Sequence, residues 1–160
     1  MIQRFSASIF AALAIVASCS TPEPVKKSAC MNERTRETII RWGDYNPKSG
    51  EIKAYQFTGG AIRSKYLREN TASEPVFSLE KQMVPEDFCR YLTLTLRTFD
   101  TIQTLHAPGA EQARFIEYTN TTTNASARAI WNPAYQTYGS KEFRAVYVSL
   151  MTIIPTQERW

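Results

Sequence analysis

Residues 84–109, VPEDFCRYLTLTLRTFDTIQTLHAPG, admit two readings, and the choice between them decides the fold. Leu92, Leu94 and Leu96 alternate with Thr93 and Thr95, which is the period of a strand. Phe88, Leu92, Thr95, Phe99 and Ile102 keep a helical stripe through the same residues. The boundary chemistry favours the helix. Pro85 suits a first helical position, Glu86 and Asp87 sit at the positive end of the dipole, and Pro108-Gly109 supplies a stop. We therefore expect a helix beginning at Pro85 and running toward that stop.

Working outward, the flanks read as strands. ETIIRWG (37–43) is a short β-rich segment followed by the turn formers DYNPKSG. EIKAYQFT (51–58) and AIRSKYLR (61–68) flank Gly59-Gly60, a pair that permits the positive φ angles of a two-residue hairpin. VFSLEKQM (76–83) is expected to pair back as a fourth strand. Downstream, QARFIEYT (112–119) and NASARAIWN (124–132) form a second expected hairpin, in which Asn120 and Asn124 match the glycosylation pattern and read as turn residues. Ser140, followed by Phe143, Val146, Tyr147, Leu150, Met151 and Ile154, predicts a closing amphipathic helix that Pro155 ends. The expected fold is α+β, with the order ββββαββα. An antiparallel sheet of about six strands would carry two helices on one face and meet water on the other.

The first residues belong to a different category. MIQR supplies one positive charge at Arg4, and FSASIFAALAIVAS (5–18) carries no ionisable side chain. That run falls short of the ~20 residues a bilayer-spanning helix needs, and it ends in small residues, as export signals do. Val16 and Ser18 would also suit a general signal peptidase. Val16-Ala17-Ser18-Cys19, however, resembles the lipobox of bacterial lipoproteins. The resemblance implies that 1–18 is a lipoprotein signal peptide and that Cys19 becomes the first mature residue, joined to diacylglycerol by a thioether. The new amine then carries a further acyl group such as palmitate. One acyl chain holds a protein only marginally, whereas two or three make attachment effectively stable. Residues 19–36 then form the lipidated N-terminus and a tether, leaving 37–160 as a single α+β domain. Ser20 is not the aspartate that marks inner-membrane retention, so the same resemblance points to the outer membrane, facing the periplasm.

Three cysteines, Cys19, Cys30 and Cys89, leave one thiol over in an exported protein. Lipidating Cys19 leaves an even pair. In an oxidising envelope compartment Cys30 and Cys89 are expected to form a disulfide, with two unpaired buried thiols as the alternative. No Cys-x-x-Cys or clustered His accompanies them, so no metal is expected.

The charge balance, 19 Lys+Arg against 15 Asp+Glu, is a mild basic excess with scattered residues and gives no nucleic-acid signature. His106 is the only histidine. It falls at the expected helix end, where an imidazolium would face carbonyls favourably. There is no Gly-x-Ser-x-Gly elbow, phosphate loop or dinucleotide fingerprint, and no cofactor is expected. Asp44, Asp87, Glu111 and Glu117 are available for a hydrolytic carboxylate pair, which leaves a small hydrolase open. The stretch 131–138, WNPAYQTY, is the feature most like a binding surface. Trp131, Tyr135 and Tyr138 on a rigid turn would stack on sugars or anchor a partner protein, or else cover their own core. We expect a membrane-anchored, non-enzymatic envelope module that binds an unidentified envelope protein, a wall polymer or a small ligand. The alternative is a periplasmic inhibitor or protective protein acting on a lytic enzyme or toxin.

Overall fold

A computed structural model of the chain describes residues 37–58, 61–68, 76–102 and 105–159, with Cys30, Asn32 and Thr35 ahead of them; 61–68 and 76–80 are described by their backbone alone. The expected signal peptide, Cys19 and most of the tether lie outside the described residues. The fold is α+β. Strands β1 (Thr38–Tyr45), β2 (Glu51–Thr58), β3 (Ala61–Arg68) and β4 (Val76–Gln82) precede α1 (Pro85–Thr101). Then follow β5 (Leu105–Ala107), β6 (Ala113–Asn120), β7 (Ala125–Trp131) and α2 (Tyr138–Met151). The sheet order is β4-β3-β2-β1-β6-β7-β5.

Turn chemistry sets the register. Thr58 pairs with Ala61, so the β2–β3 hairpin closes over two residues as Gly59-Gly60 implied. Between β1 and β2, the Asn46 side-chain oxygen accepts from the N–H groups of Lys48 and Ser49, and Gly50 takes a φ of 72°. Asn120 accepts from the Thr123 N–H and Asn124 adopts a φ of 51°, so both asparagines are turn residues. Gly43, in β1, permits a close approach. A Cβ there would collide with the Lys53 carbonyl oxygen of β2.

Alternation along the strands then sorts the faces. Ile40, Trp42, Tyr55, Phe57, Ile116, Ala129 and Trp131 point to one side and pack with Phe88, Leu92 and Phe99 of α1 and with Phe143, Val146 and Leu150 of α2. Phe57 meets Phe88 edge to face with centroids 5.3 Å apart, and Phe99 lies 4.9 Å from Phe143. On the other side, Ile52, Ala54, Ala113, Phe115 and Ile130 form a smaller cluster. Arg128 lies 5.3 Å from the Phe115 ring and 5.9 Å from Tyr45, so a guanidinium shields apolar surface on this face, where among the described residues no helix packs.

Three local expectations are corrected. The first helix ends at Thr101, well before Pro108-Gly109, because Leu105–Ala107 leaves the helix to pair in parallel with Ala129–Trp131. Among the described residues the strand count is accordingly seven. The second helix is capped by Thr137, whose side chain accepts from the Ser140 N–H, and Ser140 sits buried inside the first turn.

A candidate binding groove between the helices

The two helices run antiparallel, and a groove lies along their outer seam. Three adjoining cavities make it up. The first, of about 310 Å³, lies between the end of α1 (Leu94, Arg97, Thr98, Thr101) and the start of α2 (Tyr138, Glu142). The next, of about 300 Å³, shares Leu94 with it and adds Tyr91 and Ser149. The last, of about 410 Å³, shares Arg90, Tyr91 and Thr152 with the second and reaches Lys81 and Val84. Helical spacing explains the lining. Asp87, Tyr91, Leu94 and Thr98 recur every three to four residues on α1, as Tyr138, Glu142 and Ser149 recur on α2.

The floor is apolar and the rims are polar. Leu94 and Ile102 are partly buried against the core. The Tyr91 hydroxyl spans the helices, 3.1 Å from the Thr152 hydroxyl, and accepts from Arg90 at 2.9 Å. Arg90 also pairs with Asp87 at 3.0 Å. Thr98 and Thr101 donate their hydroxyls to the carbonyls of Leu94 and Arg97, which leaves oxygen lone pairs for an incoming donor. Arg97 and Glu142 have no ion-pair partner among the described residues. The groove thus offers cations at Lys81, Arg90 and Arg97, anions at Asp87 and Glu142, hydroxyls and the rings of Tyr91 and Tyr138 around an apolar floor, the composition of a polar-rimmed recognition surface.

The aromatic loop divides in two. Trp131 is fully buried, stacked over Phe143 at 6.1 Å and edge-on to Tyr147, so it belongs to the core and not to a surface patch. Its indole N–H has no acceptor among the described residues. Tyr135 is 42% exposed and Tyr138 66%, and Tyr138 lines the groove. Ser140 and Arg144 hold this turn rigid. The Ser140 hydroxyl donates to the Tyr135 carbonyl at 3.0 Å and Arg144 to the carbonyls of Pro133 and Tyr135.

Cys30 and Cys89 stand at disulfide distance, with Cα atoms 5.6 Å apart, and join the segment ahead of β1 to the second turn of α1. His106 lies exposed on β5 opposite Ile130, not at a helix end. The four carboxylates each meet a different cation. Asp87 meets Arg90, Asp44 meets Arg114 at 3.6 Å, Glu111 meets Lys48 at 3.5 Å, and Glu117 meets Arg41 at 3.2 Å and Arg128 at 3.5 Å. Asp44 and Glu117 point to opposite faces of the sheet, so that pair cannot converge. Asp44 also accepts from Tyr147 at 3.4 Å, and burial, then the neighbouring Asp44 charge, pushes the Tyr147 hydroxyl well above its ordinary range. Among the described residues no three His, Cys, Asp or Glu side chains gather as a metal site, and no helix is long and apolar enough to cross a membrane.

No protein family matches the chain, and no curated protein matches it.

Proposed function

We propose that the chain is a cell-envelope lipoprotein, held at the membrane through lipid on Cys19, whose α+β domain is a non-enzymatic binding module. The observation that carries the reading is the juxtaposition of Cys30 with Cys89. A bond between them uses two of the three cysteines and leaves Cys19, the residue that closes the lipobox-like Val16-Ala17-Ser18-Cys19, as the odd one. Such a bond also suits an oxidising compartment. The groove between α1 and α2 is the binding surface, with Arg97, Tyr138 and Glu142 as its accessible contacts.

Two experiments test the halves of this reading. Cells expressing the protein are labelled with an alkyne fatty acid; label on the wild type and none on Cys19→Ser, which should leave the membrane fraction, is the expected result. Label that survives in Cys19→Ser contradicts it. Photocrosslinking from position 138 in the native envelope tests the groove. A discrete adduct that Arg97→Ala weakens supports it, and an adduct indifferent to Arg97 and Glu142 counts against it.

The exposed rings of Tyr135 and Tyr138 on a turn fixed by Arg144 favour a protein over a polymer as the partner, in the manner of rigid aromatic anchors at interfaces. An inhibitor or protective protein acting on a lytic enzyme or toxin is the version of the proposal that fits them.

A further inference from the structure

We infer that the link between Cys30 and Cys89 is a height stop. It limits how far the domain can stand from the membrane and joins the tether to α1 on the flank away from α2. The inference rests on the lipid-anchor reading above and goes beyond it.

Covalent geometry sets the limit. Eleven peptide steps separate Cys19 from Cys30, and a fully extended chain advances ~3.3–3.6 Å per residue, so Cys30 can lie no more than about 40 Å along the chain from the lipid. Cys30 packs against the main core and is fixed to α1 through Cys89. The free span therefore ends there. Without the link, the span would extend to Thr38 at the head of β1, nineteen steps from Cys19 and at most about 68 Å of contour. The bond thus shortens the maximum reach by about 1.7-fold and moves the point of suspension from the head of a strand to the flank of a helix.

Which flank follows from the helix itself. At ~100° per residue, Cys89 stands about 200° around α1 from Tyr91, in a row with Thr93 and Leu96, while Asp87, Tyr91, Leu94 and Thr98 face α2. The tether therefore joins α1 on the flank away from α2, about 80° around from the rim residue Arg97 and farther from Tyr91, Leu94 and Thr98. Whatever binds the groove does so at a height that the span from Cys19 to Cys30 limits.

The test uses the full lipidated protein in phospholipid vesicles. A donor dye is placed by an unnatural amino acid at exposed Ser126, with an acceptor dye on the lipid headgroups. Eight Gly/Ser residues inserted after Lys27 lengthen the span on the membrane side of Cys30 by up to about 28 Å, and energy transfer should fall. The same insertion after Arg36 lies on the domain side, so transfer should stay at the wild-type value while the link is intact. It should fall only when the insertion is combined with Cys30→Ser and Cys89→Ser. Both insertion variants keep the bond, so the comparison holds even if the double serine variant folds poorly. Equal loss of transfer from the two insertions in linked, acylated protein overturns the height stop and leaves the anchor standing. Protein that carries no acyl group overturns the anchor and the height stop with it.

Discussion

The two helices lie side by side on one face of the sheet, yet they are secured by different means. α2 is locally complete. Thr137 caps its first turn, and Phe143, Val146, Tyr147 and Leu150 bury one stripe. α1 has no side-chain cap at Val84, and its Cys89 stands at disulfide distance from Cys30. The helix with the weaker start is the one joined to the amino-terminal segment. A helix can therefore be fixed either by signals within a few residues of its ends or by a connection from far along the chain, and only the first kind is local in sequence.

Truncating the aromatic anchors is the most severe way to break the comparison. Phe88→Ala in α1 and Phe143→Ala in α2 remove fully buried rings, and each should cost about 3–5 kcal/mol in denaturant unfolding. Similar losses would mean that both helices depend equally on the shared core. The link comes next. With a sequence separation of 59, Cys30→Ser with Cys89→Ser should lower stability by roughly 4 kcal/mol on chain-entropy grounds. Wild-type protein under reductant should lose the same amount, with α1 the first segment to lose hydrogen-exchange protection and α2 retained. Simultaneous loss of both helices would erase the distinction.

The caps offer a finer test. Thr137→Ala should cost about 1 kcal/mol, because it removes the oxygen that accepts from the Ser140 N–H. Val84→Asp should instead stabilise α1 by several tenths of a kcal/mol or more, since it supplies a missing cap at a residue 57% exposed. Thermal midpoints in opposite directions are the expected outcome. The smallest effect is expected in the groove. Tyr138→Ala should shift stability by less than about 0.5 kcal/mol, because the ring is largely in solvent, while weakening any groove adduct. The pH response adds a check specific to α2. The Tyr147 hydroxyl is raised by burial and by Asp44, so the folded state holds that proton more tightly than the unfolded chain does. Its contribution is full below the ordinary tyrosine value of about 10 and is lost as pH climbs above it. Tyr147→Phe should flatten that alkaline loss.

How much was legible follows from the same contrast. The strands carry their own signals, so β2 and β3 were bounded by composition and by Gly59-Gly60. The α2 stripe was equally plain as far as Met151, where the helix ends short of Ile154 and Pro155. α1 was harder because Leu94 and Leu96 are partly buried flanks of the helix, and together with Leu92 they imitate a strand. Its end was misplaced because nothing local near Thr101 announces a stop. The chain leaves the helix to pair with β7, a contact formed with residues some twenty-five positions later. The cysteine pair was readable by parity. Tyr138 was identified as a candidate contact, but Trp131 was drawn into the same patch because sequence does not reveal which aromatics of a loop turn inward. The groove itself was hidden. Arg97 and Glu142 read as ordinary surface charges until antiparallel packing sets their helices side by side.

The central claim is that one cysteine holds lipid while the other two hold each other. Intact mass of the protein purified from membranes, alkylated before and after reduction, tests it most directly. The account predicts a chain that begins at Cys19 with a diacylglyceryl and an acyl group, no alkylated thiol before reduction and two after. A chain that begins elsewhere without lipid, or that shows two alkylated thiols before reduction, would contradict it.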